Sequence, residues 1–336
     1  MSPSQPAAAA TFVHGLAACI LDPTTGDAAL REACDALHGW ALGLHPDLSR
    51  TPIGLPSGLA IAPVDAARCV LDAPRTACLA RALDASIAHQ LARNPDARVQ
   101  VLYAGCGPFA PLALIAATRW RHARLRIDLL DVHAASLRSA RALFDQAGLA
   151  GLLGEAICAD AVRWRRPTQA PRPAILVAEV MQRALACEPQ LAVVANLLPQ
   201  CAGDADLVPA KITVDAALAS LEALFGGGSG VVEHALGAVL ELSAAALPVL
   251  CRHLQNDPTR LPEVVLPVPA DAPQGCHAVL RTRIDAGHGH TLAQGDSGLT
   301  QPLPLLEPGR LAPGDVLKLH YRLTPEPGFE CVRAPA

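Results

Sequence analysis

The strongest constraint on the fold is an alternation of strand-like and helix-like segments in the middle of the chain. Four short apolar runs and two segments with helical periodicity follow one another, the runs at 99–103, 125–130, 156–159 and 174–178 and the helical segments at 110–120 and 134–147. Strands that alternate with helices at this spacing indicate βαβ units and a parallel sheet. We therefore predict an α/β domain over residues 98–207.

The segments on either side have a different character. In residues 1–97, apolar residues recur every three or four positions at 28–44 and 65–91, which predicts helices, and the Pro-, Gly- and Ser-rich stretch 45–58 predicts a loop. We treat this part as an N-terminal helical region.

Residues 208–336 are predicted to be a second, β-rich domain with a helical insertion. A strand is expected at 212–218 and a helix at 231–254, kinked at Pro248 and set off by the glycine-rich 226–230. From 263 onward, short apolar runs separated by Pro and Gly indicate antiparallel strands.

Three successive predicted strand ends carry residues suited to a nucleoside. Gly105 and Gly107 follow the first strand, where a glycine turn lets a cofactor approach the backbone. Asp131 ends the second strand and can accept hydrogen bonds from ribose hydroxyls, and Asp160 ends the third and can take an adenine amino group. The alternatives are an ordinary βα turn for the glycines and a helix N-cap for each aspartate.

The glycine spacing favours one nucleoside cofactor over another. NAD fits the glycines and Asp131, but the dinucleotide fingerprint GxGxxG fails because Ala110 occupies the third glycine position. S-adenosylmethionine (SAM) has no pyrophosphate to place at the helix, so we predict SAM, with an NAD-dependent dehydrogenase as an alternative.

The segment that follows the fourth strand reads AEVMQRALACEPQL and contains Glu179, Met181 and Glu188. It resembles the double-E loop of the protein arginine methyltransferases, in which two glutamates stand nine residues apart. Residues 70–76 (VLDAPRT), 208–211 (VPAK) and 313–315 (PGD) are similar, in family order, to three further motifs of that family.

The resemblance implies a Rossmann-like, class I SAM-dependent methyltransferase domain with N-terminal helices and a C-terminal β-barrel-like domain. It implies that Arg75 holds the SAM carboxylate, that Glu179 and Glu188 are catalytic, that Met181 lines the substrate site, and that the chain forms a homodimer.

A pair of glutamates suits methyl transfer to a guanidinium, which is planar, permanently charged and a poor nucleophile. Two carboxylates can bind its N–H groups, orient one terminal nitrogen and draw positive charge away from it. One carboxylate, or a relayed water, then removes the surplus proton. The alternative for Glu188 is a position on an exposed helix face.

The chain departs from the family pattern at two places. Gln182 and Arg183 replace Gly-Tyr, and the expected Thr-His-Trp loop near 297–299 has neither His nor Trp. His288 or His290 could substitute, but we prefer to interpret these two histidines as part of a surface loop. Arg183 could instead bind an acceptor carboxylate. We therefore expect free arginine or a small guanidino metabolite as acceptor, with an arginine-containing protein, another small metabolite (N- or O-methylation) and a non-catalytic SAM-binding scaffold as alternatives.

The composition argues against several functional classes of protein. A net charge of −4 and dispersed arginines argue against nucleic-acid binding, and no apolar run approaches the roughly 20 residues that span a bilayer. The eleven cysteines form no CxxC pair and are interpreted as small buried apolar residues, so no metal site is predicted. We expect a cytoplasmic protein without a membrane or nucleic-acid partner.

Overall fold

The N-terminal region is mostly helical in the structure, a computed structural model that describes residues 5–225, 234–272 and 275–334. Its elements are α1 (Gln5–Leu21), α2 (Asp27–Leu44), β1 (Ile53–Leu55), β2 (Gly58–Ala60), α3 (Pro63–Arg68) and α4 (Ala73–Arg93). The prediction of one continuous helix at 65–91 is wrong, because Asp72 interrupts it. The Asp72 carboxylate accepts a hydrogen bond from the backbone N–H of Arg75 and so caps the start of α4.

The predicted loop at 45–58 is also partly wrong, since it contains the first strand of a small hairpin. Antiparallel pairing of β1 with β2 brings Leu55 opposite Gly58. Gly58 has φ +134°, and a Cβ there would lie 2.7 Å from the carbonyl oxygen of Cys187. A Pro- and Gly-rich composition is shared by loops and tight hairpins, so the sequence pattern did not separate them.

The middle of the chain forms a parallel sheet. Its elements are β3 (Val99–Ala104), α5 (Pro111–Arg119), β4 (Leu125–Asp131), α6 (Ala134–Gln146), β5 (Leu153–Cys158), β6 (Ile175–Ala178), α7 (Gln190–Leu197) and β7 (Asp206–Val208). The five strands lie in the order β5-β4-β3-β6-β7, and every neighbouring pair is parallel. The predicted α/β fold with a parallel sheet is confirmed.

The strand order positions the site. β3 and β6 are buried along their whole length, as expected of central strands covered on both faces. The chain leaves β3 towards β4 and β5 on one side and returns to β6 and β7 on the other, so the order reverses between β3 and β6. The crevice beyond the carboxyl ends of the strands at such a reversal is where open α/β sheets bind ligands.

Helices enclose this sheet and tie the N-terminal region to it. α4 packs against α5 and contacts β3, β6 and β7, whereas α6 contacts β4 and β5. The buried Asp84 on α4 accepts hydrogen bonds from Arg119 (2.9 Å) and from the indole N–H of Trp120 (2.7 Å) at the end of α5. One continuous apolar core therefore includes residues of the N-terminal helices and of the sheet.

The rest of the chain is mainly antiparallel. Its elements are β8 (Lys211–Ala219), α8 (Leu221–Phe225), β9 (His234–Ser243), α9 (Leu247–Asn256), β10 (Val264–Pro267), β11 (His277–Gly287), β12 (His290–Leu292), β13 (Leu303–Leu305), β14 (Val316–Arg322) and β15 (Gly328–Ala334). One sheet has the order β12-β11-β8-β9 with β13 also paired to β11, and the other has the order β10-β14-β15. Antiparallel strands from 263 onward and a strand at 212–218 are thus confirmed, while strand pairing among the described residues does not join the two sheets into a closed barrel.

The predicted helix at 231–254 is wrong for residues 234–243 and right for the part that belongs to α9. Residues 234–243 form β9, which pairs with β8, and only the later part is helical, as α9. Ala, Leu and Glu favour a helix locally, but pairing along β8 decides the outcome. Pro248 lies in the first turn of α9, where proline is favoured, and makes no kink. The glycine-rich 226–230 lies outside the described residues, as do 231–233.

Two composition-based expectations can be compared with the structure directly. All eleven cysteines are free thiols. Within the described ranges, no helix has both the length and the apolar character needed to cross a membrane.

Candidate active site

A cavity of about 660 Å³ opens at the carboxyl end of the parallel sheet, a volume in the range of small-molecule and cofactor sites. All nine residues singled out from the sequence line it: Arg75, Gly105, Gly107, Asp131, Asp160, Glu179, Met181, Arg183 and Glu188. They come from α4 and from the ends of β3, β4, β5 and β6. The topology therefore brings these distant positions to one place.

The glycine turn after β3 requires glycine for the fold itself, whether or not a cofactor binds there. Gly105 has φ +70°, and a Cβ there would lie 2.0 Å from Cγ1 of Val180. The protein itself therefore excludes a side chain at Gly105. Gly107 has φ +63° with ordinary space around it, so its backbone conformation is what favours glycine.

The two aspartates hold local backbone and also line the cavity. Asp131 is buried and accepts hydrogen bonds from the backbone N–H groups of Gly107 (2.9 Å) and His133 (2.8 Å). Burial raises its pKa, and these two N–H donors oppose the shift. Asp160 accepts a hydrogen bond from the N–H of Val162 at 2.9 Å. Neither side chain caps α6 or another of the described helices, so the N-cap alternative is wrong for both.

One polar atom in this part of the cavity lacks a protein partner. The hydroxyl of Ser136, in the first turn of α6, is buried, lines the cavity and makes no hydrogen bond with the described residues. Buried hydroxyls are normally paired, so this one marks a place for a ligand or a water. The sequence reasoning missed Ser136 because an isolated serine on a helix carries no motif.

An ion pair joins α4 to the end of β6 at the edge of the cavity. The guanidinium of Arg75 donates to the carboxylate of Glu179, and both side chains are nearly buried. Burial raises the pKa of Glu179, while the charge of Arg75 opposes the rise. The pair places a positive charge between the first turn of α4 and the end of β6.

Glu188 is buried beside this pair, with 6% of its surface exposed. The alternative that it lies on an exposed helix face is wrong, since it precedes α7 and faces the cavity. Burial, together with the nearby charge of Glu179, raises its pKa to about 7. A carboxyl group with such a pKa exchanges its proton near neutral pH.

The loop at 179–189 that carries both glutamates has a strained backbone. Ala184, Leu185 and Cys187 have φ of 54°, 54° and 64°, a region that non-glycine residues rarely adopt. Such strain persists only where the surroundings enforce it.

The enforcing contacts come from other parts of the chain. The N–H of Ala184 donates to the Thr282 hydroxyl of β11 (2.8 Å), and the buried Tyr321 hydroxyl of β14 donates to the carbonyl of Leu185 (2.7 Å). Cys187 donates its N–H to the carbonyl of Pro327 and accepts from the N–H of Leu59 in the hairpin. The C-terminal sheets and the hairpin therefore hold the loop.

Gln190 fixes the start of the same loop from within. Its side chain accepts from the N–H of Val180 (3.0 Å) and donates to the carbonyl of Ala178 (2.7 Å), and it is buried. The motif comparison missed Gln190 because it follows the second glutamate and was not part of the compared pattern. No sequence signal marks Gln190, because its burial and its two backbone contacts arise only from the fold.

The opposite rim of the cavity comes from the C-terminal region. Gly298, Leu299 and Gln301 line it, in the place expected of the missing Thr-His-Trp loop. Ser297 and Gly298 are held there because the hydroxyl of the one and the N–H of the other donate to the carboxylate of Asp72. Arg183 on this rim is exposed and donates to the carbonyl of Pro302 at 3.4 Å.

Neither candidate histidine replaces that loop. His288 and His290 are not among the residues that line the cavity, so neither is placed to substitute for the missing loop, and the preferred interpretation as a surface loop agrees with the exposure of His288. They lie at the turn between β11 and β12, where His288 is 3.8 Å from the carboxylate of Asp206 at the start of β7. Cys69, which was interpreted only as an apolar residue, does line the cavity, and burial raises the pKa of its thiol to about 11.

Comparisons with known proteins add one finding. No family model and no curated protein sequence matches the chain. Among solved structures, it is similar to the Trypanosoma brucei PRMT1 enzyme-prozyme heterotetrameric complex with AdoHcy, with 13% sequence identity and a TM-score of 0.49 over 79% of this chain and 96% of that chain. A likeness of this size does not bear on function, which has to be argued from the cavity.

The raised pKa of Glu188 predicts how stability depends on pH. Because the folded protein binds this proton more tightly than the unfolded chain, stability contributed by Glu188 is present below about pH 4.5 and is lost as pH rises through about 7. Glu188→Gln removes this loss. We expect urea denaturation to show that the free energy of unfolding of the variant, relative to that of the wild type, is higher at about pH 8 than at about pH 4.5, by up to about 3 kcal/mol. If variant and wild type differ in unfolding free energy by the same amount at both pH values, the raised pKa of Glu188 is contradicted.

Proposed function

We propose that this chain is a SAM-dependent methyltransferase that acts on a guanidino nitrogen of arginine or of a small guanidino metabolite. The observation that carries the proposal is a shared cavity. It combines Asp131 and the glycine turn at 105–107 on one side with two buried glutamates, Glu179 and Glu188, on the other.

The cofactor half of the cavity fits a nucleoside. Asp131 keeps carboxylate lone pairs beyond the two N–H groups it already binds, and the hydroxyl of Ser136 has no partner within the described residues. We assign the ribose to Asp131 and Ser136 and the adenine side to Asp160. Arg75 has donors beyond the one used by Glu179, so it can also hold the carboxylate of the methionine part.

The acceptor half would bind a cation. When bound, SAM supplies an electrophilic methyl group on its sulfonium. Glu179 and Glu188 would bind the N–H groups of the guanidinium, orient one nitrogen and concentrate its lone pair there. Met181, which is buried, would pack against the flat face of the acceptor, and Arg183 at the rim would bind an acceptor carboxylate.

The two glutamates are suited to different tasks. Glu179 is paired with Arg75 and therefore serves as a fixed anion. Glu188 is the better proton acceptor, since a general base works best when its pKa is near the working pH and burial raises that of Glu188 to about 7. We assign to Glu188 the proton that the methylated nitrogen loses.

The proposal extends to the organisation of the chain. We assign residues 1–97 to a helical region that closes the site, 98–207 to the SAM-binding domain and 208–336 to a barrel-like domain that supports the loop at 179–189. A homodimer in the cytoplasm, with no nucleic-acid or membrane partner, remains our expectation.

A second candidate is methylation of another small metabolite. Arg75 already neutralises Glu179, and Glu188 can be protonated near pH 7, so the acceptor half carries less negative charge than two free carboxylates would. A neutral amine or hydroxyl acceptor would suit this smaller negative charge.

Binding of the cofactor can be tested with Asp131→Ala. The loss of charge-assisted hydrogen bonds, each worth about 1.5–3 kcal/mol, should weaken SAM binding at least tenfold in calorimetric titration. Ser136→Ala should weaken it less, and Asp145→Ala, at an exposed position on α6, should leave it unchanged. Unchanged affinity in Asp131→Ala, or tighter binding of NAD than of SAM, would refute the cofactor assignment.

Methyl transfer can be tested with isotope-labelled SAM and a panel of acceptors that contains free arginine, guanidino metabolites, an arginine peptide and non-guanidino amines. We expect label on a guanidino acceptor, and a loss of at least about a hundredfold in Glu179→Gln and Glu188→Gln, because each removes a charged contact to the acceptor. Glu155→Gln, at an exposed strand position, is the matched control.

Three outcomes decide between the candidates. Full activity of Glu179→Gln ends the clamp hypothesis, whereas a loss of activity supports it when thermal unfolding shows that the variant is folded despite the loss of its ion pair with Arg75. Label on a non-guanidino compound favours the second candidate. SAM binding without transfer to any acceptor favours a non-catalytic SAM-binding protein.

A further inference from the structure

A second cluster of chemically active side chains lies outside the cavity. His89 on α4, Asp206 at the start of β7 and His288 at the turn between β11 and β12 converge, although they are far apart in the sequence. We propose that these three residues form a binding site for a divalent transition-metal ion of the zinc type.

The distances between the three side chains fit the binding of one metal ion. Nδ1 of His89 lies 3.2 Å and Nε2 of His288 lies 3.8 Å from the same oxygen, Oδ2 of Asp206. All three ligand atoms lie within 4.8 Å of one another. Ligands at zinc distances of about 2.0–2.2 Å in a tetrahedron are separated by about 3.4 Å, so small side-chain movements would complete the geometry.

The coordinating atoms limit which metal ions the site can bind. Two imidazole nitrogens and one carboxylate suit zinc, cobalt or nickel, whereas magnesium and calcium prefer oxygen ligands only. Gln90 donates to the same Oδ2 of Asp206 at 3.2 Å and so orients the carboxylate, as outer partners of metal ligands commonly do. Three protein ligands leave a fourth position for water.

The position indicates what the ion would do. The three ligands belong to the N-terminal helices, to the edge of the parallel sheet and to the C-terminal antiparallel sheet. α4 carries Arg75 in its first turn and His89 towards its C-terminal end, so an ion at His89 would fix this helix against both sheets. We assign to the ion the role of holding these three parts of the chain together, with a fourth position that, unlike that of a closed structural zinc site, is open to water.

No metal site was expected from the sequence, because that expectation rested on the absence of a CxxC pair, and His89, Asp206 and His288 lie far apart in the chain. His288 was considered only as a substitute in the cavity or as part of a surface loop, and His89 and Asp206 carried no motif. The fold, not the local pattern, brings them together. The simpler arrangement is an ion-pair cluster, in which Asp206 binds the two histidines without a metal.

Co²⁺ titration of the metal-stripped, full-length chain tests the proposal, because the absorption bands of bound Co²⁺ report its ligands. We expect one Co²⁺ per chain, a spectrum without thiolate charge transfer despite the eleven cysteines, and a rise in melting temperature. His288→Ala and Asp206→Asn should weaken binding at least tenfold and abolish that rise.

His122→Ala, at an exposed histidine away from the cluster, should behave as the wild type. His288 lies at an exposed turn, so its variant is expected to fold. No binding by the wild type, a thiolate spectrum, or equal binding by His288→Ala would overturn the proposal and leave an ion-pair cluster only. None of these outcomes depends on methyl transfer, so this test stands apart from that of the proposed function.

Discussion

The buried ion pair between Arg75 and Glu179 joins the first turn of α4 to the carboxyl end of β6. Removing two charges from water is costly, and removing one partner of such a pair costs about 3–5 kcal/mol because the other charge is left alone. The pair therefore helps to hold the N-terminal helices against the sheet. It also places a guanidinium at the wall of the cavity.

The remaining geometry of the site depends on parts of the chain far from the parallel sheet. The strained loop at 179–189 keeps its conformation because β11, β14 and the hairpin of β1 and β2 accept or donate its backbone hydrogen bonds. Asp72 caps α4 with one oxygen and holds the rim at 297–298 with the other. A helix start, a sheet edge and a C-terminal turn are thus connected through a few buried polar groups.

The sequence predicted those features that depend on local pattern. The apolar runs of β3 and β6, together with the residues at the ends of β3, β4 and β6, identified the parallel sheet and its glycine and acid positions, because central parallel strands are buried on both faces. The sequence did not predict what depends on partners distant in the chain. β9 was expected to be a helix, since only pairing with β8 makes it a strand, and the hairpin at 53–60 had the composition of a loop. Ser136 and Gln190 became visible only once neighbouring elements enclosed them.

The most direct test of the central claim is a crystal structure of the chain with S-adenosylhomocysteine and arginine. The expected result places the ribose at Asp131 and the sulfur at the open end of the sheet, with the carboxylates of Glu179 and Glu188 both facing it across the bound guanidinium. A nucleoside bound elsewhere, or a sulfur that neither glutamate faces, would contradict the assignment of this cavity as a methyltransferase site.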